Sequence, residues 1–549
     1  LAAFAGYPGA GTFFLKSTYI DAIASGANAA LSICNPAGPV AKHSRPRKMA
    51  GRQPAGRVMS TSPLIDGGAP HDTGGRLAGA DERLYNHDLA PVPLDKRTWT
   101  GYSIFAMWMS DVHSVGGYTF AASLFLLGIS GWQVLIALTV GILLVYMLMN
   151  WVGKPSYVHG IPFPVMARVS MGVMGANLAA VIRGVVGIVW YGVQTYFASK
   201  AVATLLILFF PSAVALRDVS FLRLDGLGWV SFLFMWVFQL IIFQRGMETI
   251  RKFIDFCGPA VYVVMFVLMA WILSQAGLGS LSLTLGGKVL SGGAQFIGMG
   301  NAILLVVSYF AALLLNFGDF SRFAKSERQM KIGNFLGLPV NFIVFAIITV
   351  IVTSGSASVF GSMIMDPVAI VAHIQNKVAV VIGSVTFIVA TMGINIVANF
   401  VSPAYDIANL FPKHIDFKKG GLIASILAVL VCPWIFVDSP KAITIFVSVF
   451  GSVLAPLYGV MMADFYLVKK QQVDTAELYT MSPKGRFHYD GGWNKVGVFA
   501  LIASGCISVG WELCTQLLHV LPENNFGWLI GAVAGAALYV LMMRAANRS

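Results

Sequence analysis

Charge is what this 549-residue sequence has least of. Only 11% of its residues are Asp, Glu, Lys or Arg, against about 25% in an ordinary soluble chain. So few charges cannot cover a water-facing surface, which excludes a cytosolic enzyme. Cysteine is scarce too. The five present (Cys34, Cys257, Cys432, Cys506 and Cys514) form no CxxC pair and no metal spacing, so neither a disulfide framework nor a metal site is implied. Soluble-enzyme signatures are missing as well: there is no HExxH, no GxSxG and no GxxxxGK[ST]. Gly286-Gly287-Lys288 runs into Val289 and is no phosphate loop. What is present is apolar. Hydrophobic residues make up 57% of the chain, and its mean hydropathy is +0.75. The net charge of +13 sits between apolar runs rather than along one face, so nucleic acid is not the partner it implies. The lipid bilayer is. An all-α polytopic membrane protein follows.

A helix needs about 20 apolar residues to cross the hydrocarbon. Twelve runs qualify: 99–128, 132–151, 177–205, 228–245, 255–277, 293–317, 333–356, 379–404, 421–437, 441–465, 496–516 and 525–544. With the N-terminus inside, five loops become cytoplasmic. They carry Lys154 and Arg168; Arg245, Arg251 and Lys252; Arg322, Lys325, Arg328 and Lys331; Lys413, Lys418 and Lys419; and Lys469, Lys470, Lys484 and Arg486. Arg544 and Arg548 also fall inside. The alternate loops hold few basic residues, so the even count and the orientation both obey the positive-inside rule. A cell (inner) membrane protein with both termini cytoplasmic is expected.

Residues 1–58 behave differently. They hold seven basic side chains against Asp21 alone, in a Gly-, Ala-, Pro- and Ser-rich stretch. We expect a non-native extension or a disordered segment here, with a transit peptide as the rival. Residues 59–98 read as a cytoplasmic tail. A ten-helix transport core over 99–465 follows, then a cytoplasmic loop over 466–495 and two last helices over 496–549.

Polar residues inside spans are costly in lipid and mark cavities or partner helices. In the first span, Asp111 and His113 precede Ser114, Gly116 and Gly117. Paired glycines allow a helix to unwind and offer its backbone to a ligand; the plainer reading is close packing, with Asp111 and His113 satisfying each other. In the third span, Trp190 and Gln194 share a helix face, with Arg183 two turns earlier. An indole stacks and a carboxamide both donates and accepts, which suits a planar heterocycle with amide-like edges. The sixth span carries Gly298-Met299-Gly300-Asn301, then Ser308-Tyr309-Phe310, and ends at Asn316-Phe317-Gly318-Asp319-Phe320-Ser321-Arg322. Interruptions at 116–117 and 298–301, in spans one and six, suggest an inverted five-plus-five repeat over 99–277 and 293–465, with the site at the breaks. Asp319 and Arg322 read as a cytoplasmic gate or a helix-end ion pair. In the eighth span, Thr391, Asn395 and Asn399 form a stripe approaching Pro403 and Asp406. Gly527, Gly531 and Gly535 read as helix packing or a dimer face, and Glu512 as a buried, hydrogen-bonded acid.

From Asn86 onwards the chain resembles the nucleobase–cation symporter-1 family. The matching stretches are Asn86-His87-Asp88-Leu89-Ala90-Pro91-Val92-Pro93 with Arg97-Thr98-Trp99; Gly160-Ile161-Pro162-Phe163-Pro164-Val165; Ile182-Arg183 with Trp190-Tyr191-Gly192-Val193-Gln194; Asn316 to Phe323; and Ala398-Asn399 with Asp406. The resemblance implies a leucine-transporter-type fold: twelve transmembrane helices, ten in an inverted repeat plus two. It assigns Trp190, Gln194 and Asn399 to the heterocycle, with Phe310 as the second stacking ring and Tyr309 as its fallback. Contacts from the first helix should lie at Ser114, Gly116 and Gly117. Sodium-coupled relatives carry adjacent hydroxyls on helix eight where this chain has Gly393 and Ile394. A hard cation needs oxygen ligands, so no cofactor is expected beyond a coupling proton. Asp111, His113 and Asp406 are its carriers, with Asn395 alongside, and sodium is the alternative. The expectation is a symporter importing uracil, allantoin or a hydantoin, monomeric or weakly oligomeric. A passive facilitator or nutrient receptor is the rival.

Overall fold

The computed structural model describes residue 77 and residues 79–280 and 290–546. Residues 1–58, Cys34 and the Gly286–Val289 run lie outside the described residues. Within them the chain is almost wholly helical. The one sheet is a two-residue hairpin in which Ser220–Phe221 pairs antiparallel with Leu224–Asp225. Among the described residues, nine helical segments are long and apolar enough to cross a membrane: Gly131–His159, Ala176–Phe209, Gly226–Gln244, Met247–Ala276, Glu327–Phe360, Lys377–Leu410, Pro440–Val468, Lys495–Leu517 and Gly527–Ala546.

Two further expected spans are helices in two pieces. The run at 99–128 folds as α1 (Gly101–Val112) and α2 (Val115–Ser123). Ser114 sits between them in extended backbone and caps α2, its hydroxyl accepting from Gly117 N at 2.9 Å. A serine satisfies a helix start better than a helix interior, so the unwinding falls at His113-Ser114 and the glycine pair forms the next turn. After α3 (Gly131–His159), α4 (Ala176–Phe209), α5 (Gly226–Gln244) and α6 (Met247–Ala276), the run at 293–317 folds as α7 (Gly293–Tyr309) and α8 (Ala311–Asn316).

The expected interruption at Gly298–Asn301 does not occur. α7 runs through it and deviates only at Phe310. The small residues at 298–301 serve close packing instead: Gly298 lies against Ile129, Gly300 against Phe526, and Asn301 Oδ1 accepts from Asn525 N at 3.0 Å.

Next come α9 (Glu327–Phe335) and α10 (Asn341–Phe360), joined by a π-helical stretch at Leu336–Val340 that absorbs Pro339. α11 (Lys377–Ile394) passes through a second π segment, Asn395–Val401, into α12 (Ser402–Leu410), where Pro403 fits the first turn. The helix therefore continues through Pro403 without a break. The run at 421–437 is the short α13 (Phe417–Leu430), and α14 (Pro440–Ala463), α15 (Lys495–Glu512) and α16 (Gly527–Ala546) complete the chain.

α16 packs along α14 and α15. Gly531 and Gly535 of its glycine stripe meet Pro456, Ser508 and Ser504, so that face is taken up within one chain. Glu512 finds its role here. It is fully buried, and its Oε1 accepts from Gly527 N at 2.8 Å, capping α16 from the neighbouring helix, with Ser448 and Ser452 beside it. Removing a cap of this kind costs about 1–2 kcal/mol. Glu512→Ala should lower the melting temperature of detergent-solubilised protein by several degrees, while Glu512→Gln, which keeps the acceptor, stays near wild type. Equal melting of all three proteins would refute the capping role.

Candidate functional site

The break in the first span meets α4 and α11 in the middle of the bundle. Val115 N, freed by the break, donates to Thr391 Oγ1 of α11 at 3.0 Å. Across from it, Trp190 and Gln194 project from α4. A Cβ on Gly116 would come within 2.7 Å of Gln194 Oε1, so only glycine lets that carboxamide lie against the break. Gln194 is 2% exposed, and its Oε1 has no hydrogen-bond partner among the described residues. A buried amide oxygen left unpaired and aimed at a broken helix is suited to accept from a solute.

Rings close the same space. Trp190 meets Tyr309 edge to face, centroids 5.7 Å apart at 85°, and Phe446 of α14 at 4.7 Å. Tyr309 stacks on Phe120 at 4.6 Å and 16°, and its hydroxyl faces the side chains of Ser114 and Gln194. Phe310 was expected to be the second wall, yet it turns away from Trp190, onto Trp108 at 6.3 Å and Phe342 at 5.8 Å. Adjacent residues of a helix point about 100° apart, so only one of the two can face α4. The fallback residue, Tyr309, is the one that does.

The helix-eight residues separate into two roles. Asn395 Nδ2 faces three oxygens, Tyr191 O at 3.0 Å, Thr195 Oγ1 at 3.0 Å and Gln239 Oε1 at 2.7 Å, and so ties three helices together. Asn399 donates to Asn395 Oδ1 at 3.1 Å, one turn along the same helix. Asp111 and His113 do not satisfy each other. Asp111 is buried near the Tyr309 hydroxyl with Oδ2 unpartnered among the described residues. His113 faces the opposite way, boxed by Tyr262 of α6 at 4.2 Å and Phe345 of α10 at 5.2 Å.

Below this level lies a polar layer that the motifs only hinted at. Arg183, fully buried, donates to Ala398 O at 2.8 Å and stands 3.7 Å from Asp406. Asn316 also donates to Ala398 O, at 3.2 Å, and to Ser402. Asp319 and Arg322 form no ion pair; each holds a different segment. Asp319 accepts from Phe163 N at 2.8 Å, while Arg322 donates to Asp88 O at 3.1 and 3.2 Å and stacks on Tyr405.

The segment before α1 packs at the same end of the bundle: Asp88 Oδ2 accepts from Phe417 N, Val92 N donates to Gly160 O, and Leu89 O accepts from Tyr479. Arg168 is sealed beneath Tyr479 and bonded to Leu478 O and Asn409. Burial lowers its guanidinium to about 10, so it remains charged at neutral pH. Phe446 and Tyr479 were not singled out from the sequence, and Asp88 stood only within a matching stretch with no role, because an aromatic in an apolar run or an acid in a tail does not show its partner.

A family profile described as permease for cytosine/purines, uracil, thiamine, allantoin matches residues 91–531. The chain belongs to the nucleobase–cation symporter-1 family. Its sequence is 34% identical to the allantoin permease of Bacillus subtilis over 465 residues, covering 84% of this chain and 94% of that one. It is 32% identical to the purine-uracil permease NCS1 of Arabidopsis thaliana over 451 residues, covering 82% and 75%. Its fold is that of Mhp1, a family transporter solved in a closed conformation with bromovinylhydantoin bound, with TM-score 0.69 and 21% identity over 85% of this chain and 96% of that one. A sodium-coupled sialic acid symporter shares the fold more distantly, with TM-score 0.57 and 11% identity over 85% and 92%. This permease is a secondary active transporter of nucleobase- or ureide-type solutes, not an enzyme.

Alanine at Gly116 tests the site separately from the fold. Its methyl group displaces the flexible end of Gln194 rather than any backbone, so the protein should reach the membrane with nearly unchanged melting temperature. Affinity for the solute should fall at least tenfold, about 1.4 kcal/mol. Wild-type affinity in Gly116→Ala would remove Gln194 from the site.

Proposed function

We propose that this permease imports a small neutral heterocycle of the uracil, allantoin or hydantoin class by proton symport with alternating access. The observation that carries the reading is the meeting of Trp190, Tyr309 and Gln194 at the break beside Gly116. Trp190 and Tyr309, set nearly at right angles, would form two walls of a corner that holds the ring. Gln194 and Asn399 would pair with its ureide edge, and Ser114, Gly116 and Gly117 would offer backbone. Phe310 supports the second wall from behind. A few such contacts correspond to micromolar binding, about −8 kcal/mol. The relatives named for allantoin and for purine and uracil support this solute class.

The two-piece helices at 99–128 and 293–317, together with α13, raise the nine long segments to twelve spans. The two-piece helices would head the two repeats of five, with α15 and α16 outside them. The basic loops support cytoplasmic termini, and the glycine stripe used up inside the chain supports a monomer. Asp319 and Arg322, each holding a cytoplasmic segment shut, would act as gates.

For the ion, Gly393 lies against Ser110, whose Cβ is 3.2 Å from the position a Cβ would take there. A hydroxyl side chain at 393, as in sodium-coupled relatives, would have to displace Ser110. This favours a proton, with Asp111, His113 or Asp406 as carrier and Asn395 holding helix eight in place.

Uptake of radiolabelled uracil or allantoin into cells, driven by an acid-outside gradient and abolished by uncoupler, is the expected result. A response to a sodium gradient alone would overturn proton coupling, and equilibration without accumulation would make the protein a facilitator. Gln194→Ala should abolish uptake at normal membrane abundance; normal uptake would sink the site. In competition, uracil, cytosine, allantoin and hydantoins should rank by how completely they present adjacent N–H and C=O groups.

A further inference from the structure

We infer that the cluster of Arg183, Asp406 and Asp319 is the proton-binding site of this transporter, and that it takes one proton per transport cycle at Asp406. The inference rests on the heterocycle-symport reading above and names the group that carries its ion. The three side chains are at most 1% exposed and lie on three different elements: α4, α12 and the turn Gly318–Ser321 that follows α8. Arg183 stands 3.7 Å from Asp406 and within electrostatic range of Asp319. Ser402 lies beside Asp319 and is bonded to Asn316, which shares the Ala398 carbonyl with Arg183.

Charge balance makes this a site for one proton. A guanidinium does not lose its proton in proteins, so the cluster holds one fixed positive charge against two carboxylates. Of the charged groups farther out, Arg322 and Asp88 carry opposite signs, Arg168 is held on Asn409 one turn beyond Asp406 and pairs with neither carboxylate, and Tyr405 is neutral. One unbalanced negative charge sealed from water is costly. A proton from the outer solution, bound to one Asp406 oxygen, converts carboxylate to carboxylic acid and removes the surplus. The same proton leaves to cytoplasmic water when the inner side opens, restoring the carboxylate.

The geometry also shows room for rearrangement. Asp406 Oδ1 and Oδ2, Asp319 Oδ2, and Arg183 Nε and Nη1 have no hydrogen-bond partners among the described residues, and 3.7 Å is loose for a guanidinium–carboxylate pair, which closes to about 2.8 Å when fully formed. A neutral Asp406 would release Arg183 towards Asp319, the acid that holds Phe163 N and with it the loop after α3. Protonation would thus act on the cytoplasmic closure, while Trp190 and Gln194 sit farther along the same helix. Asp111 and His113 have no such lever: neither faces a fixed cation, and His113 points away from α4.

The test uses the full-length protein in liposomes with radiolabelled allantoin, in two modes. One is accumulation driven by acid outside; the other is counterflow at equal pH, which needs solute movement but no net proton flow. Asp406→Asn should retain counterflow to within a few-fold and lose gradient-driven accumulation at least tenfold, with its counterflow nearly independent of pH between 5 and 8. Because Asp406→Asn leaves Arg183 buried without a carboxylate partner, Arg183→Gln/Asp406→Asn, which removes both charges, serves as the second variant and should show the same split. Wild-type accumulation by either variant would overturn the inference, as would loss of both modes by both variants when each is folded in the membrane. Failure of counterflow in the wild type with allantoin, uracil and hydantoin alike would overturn the solute reading, and the inference with it.

Discussion

The hydrocarbon core offers no water to a broken helix, and the centre of this protein is organised by that fact. A span can unwind there only where neighbours replace the lost backbone bonds. At His113-Ser114 the replacements come from Thr391 of α11 and from Ser114 itself. The break therefore fixes α11 against α2, and one turn on from Thr391 the same helix is bonded to α4 through Asn395. Site and scaffold are here one set of hydrogen bonds.

α4 links two levels of the molecule. Arg183 and Trp190 are seven residues apart, about 10 Å along a straight helix. Tyr191 O and Thr195, one position on from Trp190 and Gln194, hold Asn395. Helix eight is thus gripped twice, near the rings by Asn395 and lower down through Ala398 O and Asp406. An apolar pair would hold two helices at least as well as a loose buried ion pair, so packing stability alone does not account for Arg183 and Asp406.

Much of this was legible in the sequence because lipid makes polar residues conspicuous. Twelve apolar runs stand out, and every long helix falls on one of them to within a few residues, apart from ends such as 247–254 and 152–159 that extend further. The break near Ser114 was visible because ionisable residues and a glycine pair interrupt an apolar run. The same logic failed at 298–301. Those small residues answer to Phe526 and Asn525, more than two hundred positions away, and nothing local distinguishes a glycine that bends a helix from one that makes room. The choice between Tyr309 and Phe310 was equally hidden, since a rotation of about 100° at one helix end decides it. Glu512 was seen as a buried acid, but its partner, Gly527 N, is a backbone group and leaves no mark in a sequence.

The two breaks also differ in depth. The first loses a full helical connection at His113-Ser114. The second is a single residue, Phe310, across which the helix bonds continue: Phe310 N to Val306 O and Leu314 N to Phe310 O. The first therefore frees backbone groups, while the second chiefly aims rings. Tyr309 faces α4, and Phe310 packs against Trp108, whose Nε1 bonds Asn334 and whose carbonyl accepts from Asn341. Neighbouring aromatics on one kinked helix thus grip both sides of the bundle, each ring contact contributing about 1 kcal/mol. A small change of backbone at Phe310 would move both contacts together, so α7 cannot shift against α4 without also disturbing α1, the helix that carries the other break.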